Sequence, residues 1–339
     1  MSQETLSLLS NYSAYAALVV ASLAFACFIA SFAMSRTVTD APAQAELVAV
    51  GSGANAGAVL VSSLPTGSAA TSDSGATRTD AGVPRGRRWA NIGLSLSWLQ
   101  ASLLLAAVGF RGWSAERWPL GNMYEFAVFG AFAVTGAFVI ASLRTDVRWL
   151  GVLVSGFVLV DLGIAVLLLF TEAAPLVPAL RSYWLAIHVT AAVLSTGGFT
   201  LGSGASLAYL AVERFRRRES QGEPVKFTRW VAARVPDTKK LDAFSYRVHA
   251  FTFPLWTFAV VAGAIWAQAA WHRYWGWDPK ETWSFVIWVV YAAYLHARAT
   301  AGWKGARAAW LSVWGFIAVL FNFFVVNILF VGLHSYSGL

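Results

Sequence analysis

The chain has 339 residues, 58% of them hydrophobic and 12% charged, with a mean hydropathy of +0.58. That apolarity excludes a soluble domain, because the hydrophobic residues come in runs of about twenty, the length of a helix that crosses a bilayer. The net charge of +8 does not point to nucleic acid: if the N-terminus lies outside, 20 of the 25 Lys and Arg residues fall on inner segments and five on outer ones, the positive-inside pattern of a membrane protein.

Eight apolar runs can be read in chain order, near 13–34, 89–110, 123–143, 148–170, 183–213, 247–271, 280–300 and 308–331. They are unbroken rather than alternating, which predicts an all-α polytopic protein, not a barrel, with both termini outside. The first helix (1–36) holds the single cysteine, Cys27, so dithiol chemistry must come from a partner. Ala41-Pro42-Ala43 is a weak cleavage signal after so long a run, and no removable signal peptide is expected. Residues 37–88, rich in Ala, Gly, Ser and Thr and ending in Arg85-Gly86-Arg87-Arg88, read as a disordered cytoplasmic linker. Asn122-Met123-Tyr124-Glu125 carries a cap residue with glutamate three positions on, and starts the third helix. Asp161 falls mid-helix in the fourth run, as a proton or cation site or as a partner in a hydrogen bond between helices. In the fifth, Gly197, Gly198, Gly202 and Gly204 let a neighbouring helix approach. The charged stretch 214–246 reads as a solvated cytoplasmic face beside anionic headgroups. No internal repeat at a fixed period is apparent.

Between the sixth and seventh runs, Trp271-His272-Arg273-Tyr274-Trp275-Gly276-Trp277-Asp278-Pro279-Lys280-Glu281-Thr282-Trp283 packs aromatic rings into a short loop. Interfacial belts account for isolated Trp and Tyr. Trp266, Trp271, Trp275, Trp277, Trp283 and Trp288, all within 266–288, exceed that need. Flat rings with Arg273 and Lys280 among them suit a large, planar, anionic ligand. Heme, a flat ring with two propionates, is such a ligand. Part of the loop also serves to start a helix, with Asp278 placed as an N-cap, Pro279 at the first helical position and Glu281 at the third.

Topology sorts the histidines. His188, near the outer end of the fifth helix, and His334, in the outer C-terminal tail, flank the aromatic loop from opposite ends of the sequence. Imidazole is a common axial ligand of heme iron. His249 and His296 lie near the inner ends of the sixth and seventh helices, at a depth that allows an inner bis-His site or simple interfacial anchoring.

The segment Trp275 to Trp283 resembles the tryptophan-rich "WWD" domain of the CcsA/ResC family of System II cytochrome c maturation, whose actinobacterial members are often called CcsB. Pro119-Leu120-Gly121-Asn122-Met123-Tyr124-Glu125, Phe253-Pro254-Leu255, Gly263-Ala264-Ile265-Trp266-Ala267, Tyr294-Leu295-His296-Ala297-Arg298 and Gly332-Leu333-His334-Ser335-Tyr336 extend the resemblance over about 115–339. System I relatives share the Trp-rich loop but not the Asp-Pro-Lys-Glu-Thr-Trp wording. The resemblance implies that residues 89–339 form a seven-helix heme-handling domain in the bacterial cytoplasmic membrane, carrying heme b in transit. It implies that the outer loop holds heme, with His188 and His334 as axial ligands, and that His296 takes heme from the inner side with a second histidine from a ResB-type subunit. Trp271, Trp275, Trp277, Asp278 and Trp283 would form the surface, with Arg273 and Lys280 as propionate contacts. Apocytochrome c and a thioredoxin-like thiol reductant are the further partners implied, and the expected activity is a share in a holocytochrome c synthase. A heme exporter without synthase activity and an electron-transfer cytochrome b are the alternatives. His272 stands where the family commonly has glycine, and its role, like that of Asp161, is left open by the sequence.

Overall fold

The computed structural model describes residues 1–34, 85–172, 182–222 and 231–334, which are mainly helical with no strand among them. In chain order the helices are α1 (Gln3–Met34), α2 (Arg85–Ser114), α3 (Met123–Ser142), α4 (Gly151–Leu167), α5 (Tyr183–Ser220), α6 (Thr238–Trp271), α7 (Pro279–Ala299) and α8 (Ala306–Leu320). A π-helical turn (Phe321–Val325) carries α8 into the short α9 (Val326–Leu329). Seven of these segments, α8 being counted together with its continuation to Leu329, are long and apolar enough to cross a membrane. The other, α7, has the length, but Trp, Tyr and terminal charges dilute its apolarity. The chain is therefore an all-α multi-pass membrane protein.

The predicted runs match these helices, but several helix ends reach past them for one cause, and α1 already starts at Gln3 rather than near residue 13. α5 continues to Ser220, and α6 starts at Thr238 on an Asp237 cap whose carboxylate accepts from the Lys240 amide at 2.9 Å. Helical backbone satisfies its own hydrogen bonds beyond the lipid, so a charged overhang can continue a helix whose hydropathy has ended. For the same reason Arg85 to Arg88 belong to the first turns of α2; the rest of the predicted linker, 37–84, lies outside the described residues.

The helices alternate in direction, and contacts sort the connections into two ends. At one end Gln3 meets Glu116, Arg111 donates to the Thr171 carbonyl, and the C-terminal segment meets the α6–α7 loop; this is the aromatic end. At the basic end, Arg234 donates to the Phe32 carbonyl and Arg298 forms a two-pronged pair with Asp242 at 2.7 and 2.9 Å. Short residues let the helices approach. Ala14, Ala17, Ala21 and Ala24 of α1 are fully buried, and the glycine stripe of α5 lies against the Ala133 backbone of α3 and against Thr252 and His249 of α6.

Packing order reveals a repeat that the sequence does not display. α1 packs on α2 and α4, α2 on α3, and α3 on α4; α5 packs on α6 and α8, α6 on α7, and α7 on α8. The loops leading into α3 and α7 repeat as well. Each has an Asn or Asp cap, Asn122 or Asp278, accepting from the first turn, and a glutamate on the third helical residue. Each glutamate accepts from an arginine eight residues earlier, Arg117 for Glu125 and Arg273 for Glu281, and from a glycine amide, Gly121 or Gly276. The chain thus has two four-helix halves in the same orientation, joined where α3 meets α5.

Candidate functional site

α6 ends at Trp271 because His272 takes a left-handed conformation (φ 57°), its amide bonded to the Gln268 carbonyl. That is a C-cap position glycine usually fills, so His272 stands at a backbone requirement and its ring is exposed. The chain reverses through Trp277, also left-handed at φ 59°, an unfavourable setting for a bulky residue. Glu281 holds this shape, with its Oε2 accepting from Gly276 at 2.8 Å and Asp278 at 3.1 Å while Arg273 reaches the same carboxylate at 3.2 Å. A side chain at Gly276 would collide with the Arg273 guanidinium, so only glycine lets that arginine cross.

The Asp278 cap also anchors the C-terminal segment. Its carboxylate accepts from the Lys280 amide at 3.1 Å, the Leu333 amide at 2.7 Å and His334 Nδ1 at 2.8 Å. Burial pushes the Asp278 carboxyl up, but the His334 contact and the two amides outweigh it and hold the group below its ordinary range.

His188 and His334 meet here. His188 Nδ1 lies 2.7 Å from the Ala259 carbonyl, an acceptor that places the proton on Nδ1. The ring stacks on Trp266 at 6.0 Å and 11°, and Gly263 leaves the space beside it: a Cβ there would lie 2.7 Å from the imidazole. His334 reaches the same Trp266 edge-on at 5.5 Å and Trp271 at 4.9 Å. Both histidines line one cavity of about 150 Å³, with Trp266, Tyr274, Trp275 and Lys280 among its walls.

The remaining predicted residues divide. Trp277 is exposed, edge-on to Trp275 at 5.7 Å. Trp271 carries Arg273 over its ring at 5.9 Å and supports His334. Trp283 packs on Phe321 at 4.1 Å, joining α7 to the π turn, and Trp288 donates to Thr257 at 3.0 Å. Lys280 Nζ donates to the Asn322 carbonyl at 2.9 Å and Asn327 Oδ1 at 3.0 Å. Asn322 lies in the π turn, where the altered backbone register presents such a carbonyl. Two asparagines in an apolar run were the sequence signal for this contact. Trp266 and Gly263 were recognisable as family segments, but nothing local marked them as the floor and clearance of the histidine site.

At the basic end His296 is exposed on α7. His249 is fully buried, its Nε2 2.7 Å from Ser312 Oγ and its ring among Phe199, Tyr291 and Tyr294. His249 is thus enclosed where His296 is open, and the source of a second inner ligand, His249 or a partner's histidine, stays as the sequence left it. Asp161 is 5% exposed beside Gly130 and has no hydrogen-bond partner among the described residues. Ser335 and Tyr336 of the last family segment, and Arg181, lie outside the described residues.

Fold and site together define a multi-pass helical membrane protein in which two distant histidines share an aromatic cavity. The cytochrome c assembly protein family matches residues 120–334, which include both histidines and the whole loop. The cytochrome c biogenesis protein CcsA of Guillardia theta is 36% identical over 259 residues, 73% of this chain and 86% of the relative. That of Microcystis aeruginosa is 37% identical over 278 residues, 70% of this chain and 85% of the relative. Among solved structures, the cytochrome c heme lyase CcmF shares the fold with a TM-score of 0.58 at 16% identity, over 96% of this chain and 47% of that one. The chain belongs to the CcsA family of cytochrome c biogenesis proteins.

Proposed function

We propose that this chain is the heme-handling component of a membrane cytochrome c synthase, presenting heme b at the aromatic end for thioether attachment to apocytochrome c. The observation that carries this is the convergence of His188 and His334 on Trp266 in one cavity, each ring with Nδ1 held by an oxygen acceptor. Such partners orient an imidazole and raise its basicity toward a metal. The donor set fits ferric or ferrous heme, and the aromatic walls fit its faces. At about 150 Å³ the cavity is smaller than the roughly 300–1,000 Å³ that encloses a small ligand, which suits a cargo held by part of its surface and then passed on. The cation distribution along the sequence supports an outer position for the aromatic end.

Heme would enter on the inner side at His296, with the second histidine supplied by a ResB-type subunit. At the outer pocket His188 and His334 hold the iron. Trp271, Trp275 and Trp277 offer the flat surface, Trp283 fixes α7 beneath them, and Arg273 and Lys280 are the cations nearest for propionates. The protein contributes positioning and ligand exchange: the apocytochrome's Cys-x-x-Cys-His thiols, kept reduced by a thioredoxin-like partner, add across the heme vinyls, and its histidine displaces one of the two protein ligands. Co-expression with an apocytochrome and the ResB-type subunit tests this reading. Covalent heme on the apocytochrome is expected, and transport of free heme with none attached would identify an exporter instead.

Asp278→Asn keeps the cap's shape but removes the charge facing His334. Heme retention is expected to fall about 10–100-fold, as for other outer-shell partners of metal ligands, measured by heme transfer to an apoprotein acceptor. Asp278 has a folded pKa below its unfolded one, so its contribution is present at neutral pH and lost as pH falls through the folded value, below the ordinary carboxylate range. Hydrogen exchange at the Leu333 amide should stay slow through mild acid and accelerate only below that range. Fast exchange already at neutral pH would defeat this account of the tail.

A further inference from the structure

A cavity much larger than that of the histidines lies at the opposite end. It measures about 1590 Å³ and is bounded by the end of α1, the first turns of α2, the α3–α4 turn and the start of α6. Seven cations line it, Arg85, Arg87, Arg148, Arg234, Lys239, Lys240 and Arg247, against the single carboxylate of Asp146. Asp146 is already engaged by Arg148 Nη1 at 3.1 Å. Among the described residues, Arg148 Nε is buried with no acceptor, and Arg85, Arg87 and Arg247 have no acidic partner. The other walls are apolar, formed by Phe28, Phe32, Trp149 and Phe244. Phe28 is six residues before the end of α1, so the cavity runs about 9 Å along that helix at 1.5 Å per residue, from its charged rim into the apolar zone.

We propose that this cavity binds an anionic phospholipid, its phosphate among the arginines and lysines and its acyl chains along Phe32, Trp149 and Phe244, with the buried Phe28 closing the inner end. Like charges gathered from four separate parts of the chain repel one another, and a bound anion relieves that repulsion in partly desolvated surroundings. Basic pockets between membrane helices recognise anionic lipid headgroups on this principle. A soluble anion would use the cations but leave the aromatic walls bare. The volume exceeds the roughly 300–1,000 Å³ of small-ligand pockets and suits a molecule with two or more chains. The contact also has a structural consequence: it ties α1 and α2 to α6, bridging the two four-helix halves where Arg234 and Phe32 already meet.

The test is native mass spectrometry of the full chain in detergent, titrated with phosphatidylglycerol, phosphatidylcholine, inorganic phosphate or hemin. Phosphatidylglycerol is expected to bind at least tenfold more tightly than phosphatidylcholine, and inorganic phosphate not to displace it. Arg148→Gln with Arg247→Gln should remove that preference, and Lys239→Gln with Lys240→Gln should weaken it if the first pair does not fold. Arg217→Gln, at the same end but bonded to Glu213 and outside the cavity, should leave it intact. Equal binding of the two lipids, retention of the preference in both double variants, or displacement by hemin or phosphate would overturn the assignment. The histidine site is read separately by the heme spectrum, which should not change in the Arg148 and Arg247 variant.

Discussion

Replacing His188 and His334 together with alanine is expected to abolish heme retention by the outer pocket while the bundle stays folded. Each ring is held by a polar contact to its own scaffold, His188 to the Ala259 carbonyl and His334 to Asp278. Neither contact joins helices that lack other packing, since α5 and α6 already associate along their length. The loss therefore falls on the metal rather than on the fold. Single variants keep one axial nitrogen, so a weakened, five-coordinate spectrum is expected from each, and no outer-site heme from the pair. The measurement is the absorption spectrum of the purified protein reconstituted with added hemin, which bypasses entry at the inner side, in a His296→Ala background so that heme at the inner position does not obscure the result. Full retention of the bis-histidine spectrum in that background would remove His188 and His334 as ligands. A loss accompanied by a collapsed melting temperature would remove their purely ligating role.

Elements and depth were legible because a bilayer requires about twenty apolar residues and satisfied backbone groups, and the runs of this chain state that directly. The caps at Asn122 and Asp278 were legible too, since capping is local chemistry over three or four residues. What periodicity does not carry is which faces meet. His249 and His296 have similar depths in the sequence, yet one is sealed by Phe199, Tyr291 and Tyr294 and the other is exposed. Lys280 and Arg273 read as available cations, but their partners Asn322, Asn327 and Glu281 depend on a π turn and a loop reversal that leave no local signature. The tryptophans likewise separate by geometry: Trp266 lies between the histidines' supports, Trp277 is exposed, and Trp283 and Trp288 join helices. The repeat of two halves stayed hidden because the matching loops share an arginine, a glycine, a cap and a glutamate, too few positions to show as a period.

That repeat sets up the largest expected effect on stability. Glu125 is buried and accepts from Arg111 at 3.0 Å, from Arg117 at 2.8 Å and from the Gly121 amide at 2.7 Å. The Arg111 side chain is 3% exposed, and its Nη1 already lacks an acceptor among the described residues. Glu125→Ala leaves that guanidinium charged, enclosed and without its carboxylate, and should destabilise the protein by about 3–5 kcal/mol, the usual result of removing one partner of a buried pair. Glu281→Ala breaks the equivalent contacts in the other half, but there Arg273 is 30% exposed and can turn to water, so the stability loss should be smaller. Its effect should fall on the loop instead, because Gly276 and Asp278 lose the acceptor that shapes the turn under His334. Unfolding of the two variants in detergent, set beside their heme retention, separates these roles: Glu125→Ala should lower the unfolding midpoint most, and Glu281→Ala should lower heme retention out of proportion to its stability. Equal midpoints for Glu125→Ala and the unaltered protein would show that Arg111 finds another partner and that the first loop is not the structural half of the pair.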